Sequence, residues 1–177
     1  FLGTVDPTRI DPAARNKKPG TEITFRLDDG QTVKRTVLMG TDSLGRDVYS
    51  RVLYGTRVSL AIGVAVALAS IAIGLVIGLV SGYVRWADNV IMRVMDAMMA
   101  FPAVLLAIAI AAALGPSLTN VMIALAVTYT PRTARIMRAS VLVVRELDYV
   151  EAARASGASH LRLVFCHILP NCLSPLL

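Results

Sequence analysis

The residues best placed to do chemistry lie near the end of the chain: Glu151-Ala152-Ala153, then Gly157, then His167-Ile168-Leu169-Pro170-Asn171. Asp148 and Glu151 read as a capping-box pair, with an acid at the N-cap and Glu at the third helical position. Gly157 fits the position just past the helix end, where a left-handed backbone is required. Ser159 can cap a second short helix covering Leu161, Leu163, Val164 and Phe165, and Pro170 marks a break or the start of a further apolar segment. The alanines leave one surface of the first helix thin enough to enter a groove on another protein. That chemistry is recognition rather than catalysis. The plainer reading is that Glu151 caps, Gly157 turns, and neither does more. Against it stands the setting, because a polar helix–turn–helix next to long apolar runs has little reason to exist unless something docks on it.

Other chemistries fit less well. His160, Cys166 and His167 suggest a metal cluster but lack a fourth ligand at a familiar spacing, so no metal is expected. Cys166 and Cys172 are not in a CxxC pattern and read as reduced thiols. No Gly-x-x-x-x-Gly-Lys-Ser/Thr loop occurs, so the chain itself is not expected to hydrolyse ATP. The net charge is +6, but the basic residues flank apolar spans and form no aromatic–basic clusters of the kind that stack on bases, which sets nucleic acid aside.

The elements that must position the Glu151–Pro170 segment are membrane helices. Hydrophobic residues make up 55% of the 177-residue chain and the mean hydropathy is +0.63, above the roughly 45–50% apolar content of soluble domains. Residues 58–84 carry no charge, nor do residues 97–131. A span needs about 20 apolar residues, so the first run predicts one helix and the second, interrupted by Gly115-Pro116, predicts a helical hairpin. The expected spans are about 58–84, 97–114 and 117–137. In the first, Ser70, Gly74, Gly78 and Gly82 recur every fourth residue, a stripe that lets two helix backbones approach closely in lipid.

Before the spans, residues 1–40 are polar. Ile23, Phe25 and Leu27 alternate with polar residues, Asp29-Gly30 follows, and Val33, Arg35 and Val37 resume the alternation, predicting a β-hairpin over 22–37 with a type I′ turn. Residues 41–57 place Leu44, Val48, Val52 and Leu53 on one face and predict an amphipathic interfacial helix. With three spans, Arg85, Arg93, Arg132, Arg135, Arg138, Arg145, Arg154 and Arg162 share one face, which places residues 132–162 in the cytosol, with a cytoplasmic loop expected at about 138–169, and places the hairpin outside. Arg93 and Asp96, three apart, are expected to pair. Position alone offers Asp96, Met99 and Tyr129, with Met95, Phe101 and Thr130, as residues lining a pathway through the bundle. Such Met and aromatic side chains are more often plain packing.

The Glu151–Pro170 spacing resembles the hallmark of permease subunits of binding-protein-dependent ABC importers: a cytoplasmic Glu-Ala-Ala, three residues, Gly, nine residues, then Ile-x-Leu-Pro. His167 stands where the general pattern has Ile. His, an aliphatic residue and Leu-Pro-Asn are similar to the dipeptide/oligopeptide/nickel branch, as are Gly40-Thr41-Asp42-Ser43-Leu44-Gly45-Arg46-Asp47-Val48, Tyr54-Gly55-Thr56-Arg57-Val58-Ser59-Leu60, and Met92-Arg93-Val94-Met95-Asp96 with Phe101-Pro102. The resemblance covers residues 40–174. It implies an all-α polytopic protein, a fragment of a six-span permease with the hairpin as a small extracytoplasmic insertion, in a bacterial or archaeal cytoplasmic (inner) membrane. Residues 170–177 would begin the next span. It further implies a coupling helix at Glu151, Ala152, Ala153 and Gly157, followed by His167, Leu169 and Pro170. The implied partners are cytosolic ABC ATPase subunits that hold ATP and Mg, a second homologous permease and an extracytoplasmic solute-binding protein. Di- or oligopeptides are the implied substrates, with nickel or another small solute as the alternative. A secondary transporter is the reading outside the class, and it fits less well because the apolar runs lack the midplane ionisable groups such proteins use.

Overall fold

The computed structural model describes residues 6–26 and 32–172. It divides into two compact units, residues 1–62 and 63–177.

In the first unit, Asp11 caps a 3-10 turn at Pro12–Ala14, its carboxylate accepting from the Ala13 amide at 3.0 Å. Strands β1 (Thr21–Arg26) and β2 (Thr32–Val37) then pair antiparallel, from Thr21 opposite Val37 to Arg26 opposite Thr32. The expected Asp29-Gly30 turn lies outside the described residues. Two strands alone have little stability in water, and here the base of the hairpin is anchored by buried Val37 and by a loop in which Ala14 is also buried. Gly40 and Gly45 have φ of 74° and 77°. A Cβ at either position would collide with the carbonyl oxygen of Lys17 or Asp11, so both glycines are set by backbone handedness and by space. Between them, the Thr41 hydroxyl donates to the Ala14 carbonyl and accepts from the Lys17 amide. The Asp42 carboxylate accepts from the amides of Leu44 and Arg46 at 2.9 Å each, from Arg46 Nε at 2.8 Å and from the Arg51 guanidinium at 3.2 Å.

Partial burial raises the Asp42 pKa, but the Arg46 and Leu44 amides and the Arg46 guanidinium outweigh it and hold the carboxyl below the usual carboxylate range. A depressed native pKa stabilises the fold above the unfolded pKa, and that contribution is lost as pH falls through the native value. Asp42→Asn is therefore expected to destabilise this unit by about 1 kcal/mol or more at neutral pH. The difference from wild type should shrink toward zero below the carboxylate range. Thermal unfolding of both proteins across pH checks this, and a pH-independent difference would contradict it.

Helix α1 spans Val48–Tyr83 without a break. This corrects the expectation of a separate interfacial helix at 41–57. Residues 41–47 form the turn just described, and buried Asp47 serves as the N-cap, accepting from the Ser50 amide and hydroxyl. Nothing between Val48 and Val58 stops a helix, and the Thr56 hydroxyl folds back onto the Val52 carbonyl at 2.8 Å.

In the second unit, α1 is followed by α2 (Arg85–Met99), α3 (Ala103–Leu114), α4 (Leu118–Val144), α5 (Asp148–Ala155), α6 (His160–Arg162), a π-helical segment (Leu163–Ile168) and α7 (Leu169–Cys172). The expected span at 97–114 is not one helix. The chain breaks at Phe101-Pro102, and α2 and α3 meet at 96°. Proline disfavours helical backbone in the residue before it and lacks the amide that would continue the ladder. Among the described residues, α1 alone is long and apolar enough to cross a membrane, and α2 with α3 qualify only as a bent pair. The helix containing the third expected span, α4, extends to Val144 and carries Arg132, Arg135 and Arg138 in its second half.

At Gly115, φ is 91° and ends α3. The Asn120 side-chain amide donates to the carbonyls of Leu114 and Gly115 at 2.8 and 3.1 Å, satisfying orphan acceptors of α3 from the start of α4. The α1 and α4 helices touch along the small-residue stripe. A Cβ on Gly74 would lie 2.6 Å from Thr133 Cβ, on Gly78 2.5 Å from the Ala134 carbonyl oxygen, and on Gly82 2.7 Å from Val141 Cβ. Ser70, also buried, donates its hydroxyl to Ala67 within the helix. Beyond the stripe, Leu79 joins Met137, Val141, Val144, Val150, Leu163, Ile168 and Cys172 in one apolar cluster. The core therefore sits where the ends of α1 and α4 meet α5 through α7.

Candidate functional site: the α5 turn and its supports

Helix α5 is short and one-sided. Val150 is fully buried, with Ala153 and Ala158 packed against the same cluster, whereas Glu151, Ala152, Arg154 and Ala155 face outward. The Glu-Ala-Ala triplet is thus divided: its first two residues form surface and its third forms support.

The expected capping box is corrected. Leu147 occupies the N-cap in extended conformation, with no side-chain cap, and Asp148 is the first helical residue. The helix starts one residue earlier than the acid pair suggests, so Glu151 is its fourth residue and lies too far in to reach back. Both carboxylates remain in the first turn, where they favour the positive end of the helix dipole. At the other end, the Gly157 amide donates to Arg154 O at 3.0 Å and the Ala158 amide to Ala153 O at 3.1 Å. With Gly157 at φ 85°, these two bonds make a Schellman turn. Ser159 then caps α6, its hydroxyl accepting from the Arg162 amide at 3.4 Å.

Around His167 the helix widens to π geometry, the Leu169 amide donating to the Val164 carbonyl. Pro170, one residue further on, cannot donate to the ladder, and a wider turn accommodates its ring. The His167 carbonyl instead accepts from the Asn171 side chain at 2.7 Å and from the Tyr149 hydroxyl at 3.3 Å. That second bond ties α5 to the segment after the turn. Ile168 is buried, Leu169 packs on the core, and Pro170 is exposed.

Polar contacts that the sequence reading did not identify hold this assembly to the long helices. Arg138 donates to both oxygens of Asp88 at 2.5 Å, and the Ser81 hydroxyl donates to the same carboxylate. Arg145 donates to the Gly82 carbonyl at 3.0 Å. The Tyr83 hydroxyl and His160 Nδ1 share a hydrogen bond of 2.6 Å, with their rings edge to face. The usable signal was the scarcity of acids. Asp88 and Asp96 are the acids between Val58 and Arg145, among several arginines, so each was bound to attract one. Asp96 pairs with Arg135 at 2.5 Å rather than with Arg93 as the local spacing suggested.

The pathway candidates are dispersed. Asp96 is held in that exposed pair, Met99 ends α2 half-exposed, and Tyr129 lines an apolar groove between α3 and α4 with Ala103, Ala107 and Ala111. Met95 is buried, Phe101 is exposed, and Thr130 bonds back to Ala126 within α4. What the geometry offers, then, is mechanical: a short helix closed by a Schellman turn, presented outward and packed through Val150 on the apolar cluster.

Residues 70–177 match the family described as binding-protein-dependent transport system inner membrane component. A putative peptide transport system permease protein of Brucella suis is 61% identical over 169 residues, 95% of this chain and 56% of that protein. A glutathione transport system permease protein of Pectobacterium atrosepticum is 46% identical, over 84% of this chain and 49% of its own length. A dipeptide transport system permease protein of Alkalihalophilus pseudofirmus is 45% identical, over 78% and 46% respectively. The chain spans about half the length of the curated relatives it matches.

Proposed function

Because the chain belongs to the binding-protein-dependent transport system inner membrane component family, we propose that it is the translocating part of a permease subunit in an ATP-driven importer of di- or oligopeptides. The observation that carries this reading is α5, which turns Glu151 and Ala152 outward on a Schellman-closed hairpin while Val150 and Ala153 lock it to the ends of α1 and α4. In this proposal α5 seats in a cytosolic ATPase subunit that holds ATP and Mg. Closure of the ATPase pair moves α5 as a lever, and the bracing bonds pass that motion to the long helices. The subunit is multi-pass and six-span, works beside a second homologous permease, and receives substrate from an extracytoplasmic binding protein. The hydrolysis itself belongs to the partner. The peptide assignment rests on the names of the relatives above.

The test is co-purification of the full-length subunit with its candidate ATPase, together with uptake of a labelled dipeptide and of nickel by cells that depend on the system. Recovery of the ATPase with dipeptide uptake is expected. Failure to recover any ATPase would overturn the coupling reading, and nickel uptake without peptide uptake would overturn the substrate class.

A further inference from the structure

Helix α2 carries two adjacent stripes at four-residue spacing. Trp86, Val90 and Val94 are 80%, 63% and 52% exposed, an apolar row with nothing of the described chain upon it. Beside it run Arg85, Asn89 and Arg93, all exposed. The acids of the same helix are neutralised elsewhere, Asp88 by Arg138 and Asp96 by Arg135, while Arg85 and Arg93 have no carboxylate partner among the described residues. The free side of α2 is therefore both apolar and positively charged. Where α2 bends into α3, Arg93, Val94, Ala97, Met98, Phe101 and Leu106 line an otherwise apolar groove of about 400 Å³.

We propose that α2 lies in the membrane–water interface and binds an anionic phospholipid, with Arg85 and Arg93 on the headgroup and an acyl chain in the groove at the α2–α3 bend. Three independent features favour lipid over a protein partner. First, α3 is uncharged throughout, so if it enters the bilayer along the normal, the 96° bend lays α2 along the surface. Second, tryptophan beside basic residues is the composition of a membrane interface. Third, the exposed charge of α2 left without a carboxylate or guanidinium partner among the described residues is of one sign and complements anionic headgroups, each such residue near the surface contributing about 1 kcal/mol. The proposal rests on membership of a membrane-protein family and not on the peptide reading, so either can fail alone.

Trp86 is the one tryptophan of the 177 residues, and it supplies the probe. The full-length subunit in its complex is reconstituted into phosphatidylcholine vesicles containing a minor fraction of either brominated phosphatidylglycerol or brominated phosphatidylcholine. The Trp86 signal is obtained by difference from Trp86→Phe. Quenching is expected with both lipids and should be stronger with phosphatidylglycerol, the preference fading as salt rises. Arg85→Gln and Arg93→Gln should each reduce that preference about fivefold, and the corresponding lysine substitutions should keep most of it. Absence of quenching by either lipid would mean that protein covers the face, and would overturn the proposal. So would equal quenching by the two lipids, which would show contact without charge selection. The comparison of the two lipids, read as the Trp86 difference signal with Arg85 and Arg93 intact, decides between these.

Discussion

Gly78→Val is expected to abolish accumulation of the folded subunit, Gly74→Ala and Gly82→Ala to weaken it, and Gly63→Ala to leave it unchanged. All four glycines lie on one helix, so propensity alone does not separate them. What separates them is what a Cβ would meet. At Gly78 it would face backbone, with Ala134 O at 2.5 Å and Arg138 N at 3.0 Å, as well as Met137 Cβ at 2.6 Å. Backbone inside a helix cannot move aside singly, so α1 and α4 would have to separate along the whole contact. At Gly74 and Gly82 the nearest atoms are the Cβ and Cγ atoms of Thr133 and Val141, with backbone further off at 3.1 and 3.2 Å, so the methyl groups can turn aside but the Cβ atoms move only with their helix. Overpacking of that kind costs about 1–3 kcal/mol. At Gly63 nothing lies within 4 Å, and alanine there gains about 0.5–1 kcal/mol of helix propensity. Yield and thermal stability of the detergent-extracted protein give the ranking directly. Wild-type yield of Gly78→Val would show that the α1–α4 contact is not closed as described.

The contrast between Gly78 and Gly63 also marks how far the sequence reaches. A repeat of small residues every fourth position announces a close helix contact, because in lipid close packing is one of the few forces that bring helices together. It does not name the facing helix, which here begins beyond an intervening bent pair. The alternation around Ile23 and Val37 is local physics, and β1 and β2 lie where it puts them. The turn residue Gly157 was legible for the same reason, since few residues tolerate a positive φ. The misreadings have a common cause. Asp148 was a reasonable cap by identity, but which residue becomes the N-cap depends on how Val150 must point to reach the core. Asp96 has an arginine three residues away in sequence and another on α4, and the tertiary contact prevailed. Continuity of α1 through Val58 was hidden by the change from mixed to apolar composition, which alters the surroundings of a helix without ending it. The Asp88–Arg138 pair and the Tyr83–His160 bond join residues far apart in the chain, and nothing local encodes them.

Gly157→Pro is expected to eliminate co-purification of the ATPase and uptake of substrate while insertion in the membrane stays normal. Proline fixes φ near about −65°, against 85° at this position, and removes the amide that donates to Arg154 O. The Schellman turn cannot form, the Ala158–Ala153 bond is lost with it, and α5 no longer has a defined direction. Insertion should survive because Gly157 is exposed with nothing within 4 Å, and the buried Val150, Leu163 and Ile168 anchor the flanking segments independently. Intermediate substitutions grade the effect. Alanine in the left-handed region costs about 1–2 kcal/mol, whereas asparagine visits it more readily, so coupling should fall in the order Gly, Asn, Ala, Pro. A merely structural role for the turn predicts that protein yield follows the same order. The coupling role predicts constant yield with graded ATPase recovery and uptake. Glu151→Lys tests the outward face with the turn intact, since it places a positive charge near the N-terminal end of α5, where a negative one is favoured. If both Gly157→Pro and Glu151→Lys transported normally, α5 would not be the element through which the ATPase drives this subunit.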